Sequence, residues 1–349
     1  MSVAIIGGRG TGKSVFVGLL ATSAINYAAE RNRHFRYWTD PIFTGVIGDI
    51  VASLKLRRWP TATLKGTLSE YEFYFGYTDA LRRALISGGE ILEKVTRGLI
   101  KPRKGELFNV IKFKLFDISG EDVDYVSSAV KLAKDRGVQV FDLLPPNLKM
   151  LLDVNVLVFL VDSSRVTTDI ESPKYREMIE YDNLMAQLVS LVAAYKSAKY
   201  SGRVGRLKLF PVIVFTKFDM VDRKILRSLG IPDNYADWIR SHQDKREVIR
   251  DRLSKFMLKF YRHSKVLVDG GSLMGVELER AAMFISYIKT ELNEEGVLVP
   301  RVYSPDGVSY ELDYSITEYK AFIEYFGKIA GEIKAERKEM EDYVTGLGG

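Results

Sequence analysis

An α/β fold built on a mostly parallel sheet follows from three features of the chain. Residues 154–161 and 209–215 are compact runs of Val, Ile, Leu and Phe, the pattern of strands buried on both faces. Helical stretches at 175–200 and, less regularly, 222–261 follow them, so strands and helices alternate. The chain also begins with an apolar run at 3–6, a glycine-rich turn and a second apolar segment at 15–20, which reads as strand, turn and helix.

The remaining elements take their places in order. The first helix is expected over 14–31, followed by a polar and aromatic connector at 32–39. Asp40 and Pro41 mark a helix start, and 42–56 forms a second helix that closes at the basic turn Lys55, Leu56, Arg57, Arg58 and the segment 59–63. Strand alternation resumes at 67–77. A helix over 78–99 and a basic turn at 101–105 precede a second strand at 107–116. Residues 266–268 read as a third, shorter buried strand, and 277–292 as the closing helix. Beyond it, 296–303 and 308–313 flank Ser304, Pro305, Asp306 and Gly307, the signal of a β-hairpin. A final helix places Tyr319, Phe322, Ile323, Phe326, Ile329 and Ile333 on one face. Packing back on the main domain is the favoured reading of that face, with a homodimer contact or peripheral membrane attachment as the alternatives. The expected organisation is a domain over 1–294 with insertions around 32–60, 78–106 and 222–262, and a hairpin-plus-helix extension over 295–349.

Composition narrows the class. At 349 residues, 46% hydrophobic and 28% charged, the chain can bury a sizeable core. The longest apolar stretch, 151–161, is broken by Asp153 and Asn155 and falls short of the ~20 residues that span a bilayer. No membrane span is expected. The apolar start lacks a basic leader, which predicts a cytoplasmic location. The absence of cysteine excludes disulfides and thiolate metal sites. The net charge of +6 is spread along the chain and interleaved with acids, so nucleic acid is not an expected partner. His34, His242 and His263 are isolated from one another and lack metal-ligand spacing.

Chemistry concentrates at a few places. Gly7, Gly8, Arg9, Gly10, Thr11, Gly12, Lys13 and Ser14, followed by Val15, match G-x-x-x-x-G-K-[ST] between a strand and a helix. Glycines let successive amides and the helix N-terminus point at one phosphate chain, while Lys13 neutralises it and Ser14 offers a hydroxyl to Mg²⁺. Asp117 to Gly120 forms D-x-x-G at a strand end, with Glu121 next. That pattern alone carries little information in a chain this long, and its position gives it weight. Asp117 could hold Mg²⁺ through water and the Gly120 amide could meet a γ-phosphate. Thr216, Lys217 and Asp219 follow another buried strand; a carboxylate there can accept from N1–H and the exocyclic amine of guanine, which adenine cannot offer. Ser272 and Leu273 follow the short strand and form a loop that could reach the base from its other edge.

In this order, each at the end of a strand, these elements resemble the P-loop GTPases of the Ras-like and translation-factor class. The resemblance covers about residues 2–292, with spacings longer than a minimal Ras-like domain, and implies GTP/GDP and Mg²⁺ as ligands and a protein effector or regulator as partner. It implies a switch I threonine among Thr61, Thr63 and Thr67. Thr63 is preferred because Trp59 and Pro60 look like the lead-in to the switch loop of larger double-GTPase-like relatives. Thr216 stands where the family often has Asn. Glu121 stands where Ras-like proteins carry the glutamine that positions the attacking water, so slow intrinsic hydrolysis is implied. Arg9 could stabilise transition-state charge in cis, or be an exposed side chain without a reactive contact. The expected activity is GTP hydrolysis by a molecular switch or mechanical GTPase. The competing readings are a nucleotide-bound scaffold with negligible hydrolysis and an ATP-dependent ATPase or kinase.

Overall fold

Val3, Ala4, Ile5 and Ile6 of the first strand, β1 (Ser2–Gly7), are all fully buried. Alternate side chains serve opposite faces, Val3 and Ile5 joining one core and Ala4 and Ile6 another. A strand buried in this way needs a partner on each edge and a helix layer on each face. The computed structural model describes residues 1–8, 10–31, 35–60, 72–77, 109–117, 125, 128–129, 132, 135–138, 140–144, 146–199, 207–304 and 306–346, with the backbone alone at 109, 116, 117, 147, 148, 150 and 333–346.

After β1 come α1 (Lys13–Glu30), β2 (Phe35–Thr39) and α2 (Pro41–Lys55). The Asp40 carboxylate accepts from Phe43 N at 2.8 Å and Pro41 opens the helix, the start that the sequence signals. Next are β3 (Glu72–Tyr77), β4 (Asn109–Asp117), α3 (Pro146–Leu152), β5 (Val156–Asp162), α4 (Pro173–Lys199) and β6 (Lys208–Thr216). The stretch expected as one irregular helix divides into α5 (Arg223–Ser228), α6 (Tyr235–Ser241) and α7 (Arg246–Phe260). They lead to α8 (Lys265–Asp269), β7 (Gly271–Leu273), β8 (Val276–Leu278) and β9 (Ala282–Ile285). Short strands β10 (Thr290–Leu292), β11 (Leu298–Pro300), β12 (Val302–Tyr303) and β13 (Glu311–Leu312) precede the long α9 (Ile316–Gly346).

In the sheet β4, β1, β5, β6 and β9 lie side by side in that order, all parallel. On the outer side of β4, β3 pairs antiparallel with it and β2 antiparallel with β3. Helices α1, α2 and α9 pack on the face of Val3 and Ile5; α4 and α7 pack on the face of Ala4 and Ile6. The described residues thus form an α/β structure with a mostly parallel central sheet. Among them no helix is long and apolar enough to cross a membrane.

Three local expectations are corrected. The connector at 32–39 contains β2, because Phe35 and Tyr37 pack against Phe75, and Phe35 also against Tyr77, a ladder of cross-strand aromatic pairs. Residues 266–268 are helical in α8, and only Leu267 of the three is fully buried. The closing helix expected at 277–292 is replaced by β8, β9 and β10, since Ala282, Met283, Phe284 and Ile285 complete the sheet beside Val212 to Phe215. The expected hairpin around Asp306 is present as β12 and β13, with Val302 opposite Leu312. The helix expected over 78–99 lies outside the described residues.

The helix that covers the sheet instead is α9. Tyr319, Phe322, Ile323, Phe326 and Ile329 enter the same core as β1 and α1, so this face packs back on the sheet; the Ile333 side chain lies outside the described residues. Glu318, 1% exposed, anchors its first turn. Its carboxylate receives the Arg246 guanidinium and the Ile285 amide at 3.0 Å, joining α9 to α7 and to the end of β9. Removing one partner of such a buried pair strands the other. Glu318→Ala is therefore expected to lower unfolding stability by about 3–5 kcal/mol, measured as a shift in the denaturant midpoint.

Candidate functional site

Going along the chain from β1, the next parallel strand, β4, takes one flank and the following one, β5, takes the other. Open α/β sheets leave a crevice beyond the carboxyl ends of the strands at such a switch point, and ligands bind there. The glycine-rich loop occupies it. A Cβ on Gly7 would lie 2.6 Å from Thr11 Oγ1 and 3.2 Å from Leu160 Cβ, so the turn closes only around glycine. Gly12 takes φ 82°, in the left-handed region, and gives α1 an N-cap with no side-chain acceptor and a first turn with no acidic residue. Thr11 Oγ1 donates to Gly8 O at 2.9 Å and braces the turn. Lys13, 6% exposed, folds back so that Nζ donates to Gly7 O at 2.5 Å, and its charge sits over the loop. Ser14 and Val15 follow in the first turn of α1.

The end of β6 is tied to this loop. Thr216 Oγ1 lies 2.7 Å from Thr11 O and 3.1 Å from Val161 O, so a single hydroxyl donates within reach of both the loop and β5. Lys217 adopts φ 50°, a left-handed conformation that costs a non-glycine residue about 1 kcal/mol. Its Nζ donates to Asp162 Oδ2 at 2.8 Å, with Cε 4.0 Å from where a Cβ on Gly12 would be. The Lys217 stem therefore runs alongside the glycine-rich loop.

Asp219 lies half-buried in the short turn Phe218–Met220. Burial pushes its carboxyl up to about 6, against the downward pull of a backbone hydrogen bond and of the Lys217 charge. A cavity of about 340 Å³ opens beside it, lined by Asp219, Arg223, Tyr235, Arg240 and Lys289 among others. A desolvated carboxylate with little to satisfy it is a ready acceptor for the paired donors of a ligand.

Ser272 and Leu273 do not join this group. They lie in β7, which pairs with β8, and β8 pairs with Lys208 and Leu209 at the start of β6. That is the opposite end of the sheet, roughly 25 Å along the strand from Thr216. The strand whose carboxyl end stands beside Thr216 is β9, with Ile285 opposite Phe215, and the loop that follows is Ser286 and Tyr287. Ser286 N donates to Phe215 O at 2.8 Å, Ser286 Oγ bonds the Tyr319 hydroxyl at 2.7 Å, and Tyr287 N donates to Ser315 Oγ at 3.1 Å. The apolar run ending in Ser286 was the available signal, masked by the helical look of Ala281, Ala282 and Met283.

Sequence reasoning also missed Asp162 and Arg165, in and just after the last residue of β5. Asp162, 5% exposed, accepts through Oδ1 from Ser164 N and Oγ and through Oδ2 from Lys217, with Arg165 Nε at 3.2 Å. Arg9, Gly120, Glu121, Thr63 and its alternatives Thr61 and Thr67 lie outside the described residues. Asp117 is the last residue of β4, in register with Gly7; its side chain lies outside the described residues. Among the described residues no three His, Asp or Glu side chains gather as a metal cage. No known family model matches the chain, and no curated protein sequence matches it either.

Because burial holds the folded-state Asp219 carboxyl at about 6, above its ordinary 3.8, the folded chain takes up a proton between those values. Stability is then lost as pH rises through about 6. Without ligand, Asp219→Asn is expected to be more stable than wild type by about 1–2 kcal/mol at pH 8, after discounting for partial solvent exposure, and equal to it near pH 4. Denaturant titrations at the two pH values measure the difference.

Proposed function

We propose that the chain binds a guanine nucleoside triphosphate across the carboxyl edge of its sheet and hydrolyses it as a P-loop GTPase, acting as a nucleotide-dependent switch or mechanical GTPase. The observation that carries this reading is the Thr216 hydroxyl bonded to Thr11 O of the glycine-rich loop, which ties that loop to the strand end whose next turn carries the half-buried Asp219 carboxylate. The loop suits a polyphosphate: glycines at the tight approaches, an uncapped helix N-terminus and the Lys13 ammonium. Asp219 suits guanine, whose N1–H and exocyclic amine are both donors, and Lys217 suits the plane of the base. Ser286 and Tyr287 take the place of Ser272 and Leu273 as the loop closing the base site from the β9 side.

Mg²⁺, held through Ser14 with Thr63 and Asp117 as further contacts, would neutralise charge developing on the phosphate oxygens. In the reaction the water oxygen attacks the γ-phosphorus in line, the bond to the β–γ bridging oxygen breaks, GDP leaves with that electron pair, and the proton of the attacking water passes to solvent or phosphate. The chain's share is positioning and charge: the loop amides and Lys13 would hold the phosphates, with Gly120, Glu121 and Arg9, which lie outside the described residues, as the further candidates for contact with the γ-phosphate.

Wild type is expected to prefer GDP to ADP by about a hundredfold or more, because adenine leaves the Asp219 acceptors unmatched. Asp219→Asn should shift that preference toward xanthosine diphosphate. Equal affinities for GDP and ADP, or unchanged selectivity in the variant, would count against guanine recognition. Single-turnover hydrolysis tests the rest: GTP that persists for hours with Mg²⁺ and candidate partners would make the chain a nucleotide-bound binding module.

A further inference from the structure

Ser286, the first residue after β9, holds the segment that leads to Asp219 at two points. Its N–H donates to Phe215 O at 2.8 Å, and its carbonyl accepts from Phe218 N at 3.4 Å. The two contacts bracket Thr216 and Lys217, the second of which has the left-handed backbone. A main chain in so sparsely populated a region persists only where its neighbours over-determine it, and Ser286 is one of those neighbours. Asp219 follows Phe218 directly, so the anchor at Phe218 N fixes the point from which that carboxylate is presented.

Ser286 is held in turn by α9. Its Oγ meets the Tyr319 hydroxyl at 2.7 Å, and both residues are buried. The residues on either side are held in step, Glu318 accepting from Ile285 N at 3.0 Å and Ser315 Oγ from Tyr287 N at 3.1 Å. Tyr319 also leans its ring on Phe16 of α1, with centroids 5.5 Å apart. A buried pair of hydroxyls needs no function, because each has only to find a partner. This pair is set apart by its place in a continuous path, from α9 through Ser286 to both sides of Lys217 and so to Asp219.

We propose that Tyr319 and Ser286 are positioning residues of the ligand site: the Tyr319 hydroxyl fixes Ser286, and Ser286 fixes the turn so that the Asp219 carboxylate meets the base of a bound nucleotide. The inference rests on the reading of Asp219 as the acceptor for that base. It requires neither Ser286 nor Tyr319 to touch the ligand. Adjacency alone does not establish coupling between α9 and Asp219, so the experiment measures the coupling itself.

Binding of GDP, ADP and inorganic tripolyphosphate with Mg²⁺ is measured for wild type, for Tyr319→Phe and for the double variant Ser286→Ala with Tyr319→Phe, and Tyr319→Phe is repeated in an Asp219→Ala background. Tyr319→Phe keeps the ring against Phe16, and the double variant leaves neither hydroxyl orphaned, so both are expected to fold, as the thermal unfolding midpoint checks. Loss of one neutral hydrogen bond from the path should weaken GDP about three- to tenfold in both variants, with tripolyphosphate unchanged, and the effect should vanish once Asp219 is replaced. Unaltered GDP affinity in the folded variants overturns the proposal. So does an equal loss for GDP and tripolyphosphate, which would place the effect at the glycine-rich loop through Phe16, or a loss just as large in the Asp219→Ala background. Equal affinity of wild type for GDP and ADP refutes guanine recognition alone, because the loss relative to tripolyphosphate still reads the positioning. Nucleotide affinities that Asp219→Ala leaves unchanged refute both, as does a wild type that binds no nucleotide.

Discussion

The placement of β1 between two parallel neighbours governs everything at the carboxyl edge of this sheet. Its register with β4 sets Gly7 opposite Asp117, and its register with β5 runs Val3 to Ile6 beside Val156 to Phe159. Any loop leaving Gly7 must therefore turn within the narrow gap beside Leu160, where even a Cβ has no room. Glycine at that position is a packing requirement first. The uncapped N-terminus of α1 follows from the same turn, because a left-handed Gly12 both ends the loop and denies the helix a side-chain cap.

A second consequence is that the strand ends are connected by side chains as well as by the sheet. The Thr216 hydroxyl spans the loop and β5; the Asp162 carboxylate spans β5, the Lys217 turn and Arg165. The α9 end adds a third connection, with Ser315 and Tyr319 holding the Ser286 and Tyr287 loop and Glu318 gripping Ile285 N. The final helix is thus integral to the edge at which the loop, the Asp219 turn and the Ser286 loop converge. A displacement of α9 would be felt there through three hydrogen bonds and one ion pair.

Legibility in the sequence followed burial and periodicity. The strands at β1, β5 and β6 were readable because each is apolar at nearly every position, and α2 because Asp40 and Pro41 state its start outright. The failures are equally physical. Val266, Leu267 and Val268 have strand composition but too short a run to pair, and the left-handed Gly270 stops them as one helical turn. Ala281, Ala282 and Met283 have helix composition, yet the vacant edge of β6 takes them as a strand, so tertiary pairing overrode local propensity. That single exchange sets Ser286 and Tyr287, and not Ser272 and Leu273, at the strand end beside Thr216. Asp162 and Arg165 escaped notice because no spacing rule marks them; their significance is created by the sheet bringing β5 between the loop and Lys217.

The Asp219 turn explains why such an edge would be kept at a cost to the unliganded protein. Lys217 holds a left-handed backbone conformation, and Asp219 holds a carboxylate whose burial is only partly offset by one backbone hydrogen bond and one nearby ammonium. Neither feature stabilises the fold, and each could be relieved by a small substitution, glycine at one position and an amide at the other. Both lie in the turn that follows β6, which the Thr216 hydroxyl ties to the glycine-rich loop. A planar ligand presenting two adjacent donors would compensate the Asp219 carboxylate and lie on the Lys217 stem, so the two local penalties share one remedy. Strain and desolvation that converge on a single crevice are better explained by what that crevice binds than by the packing around it.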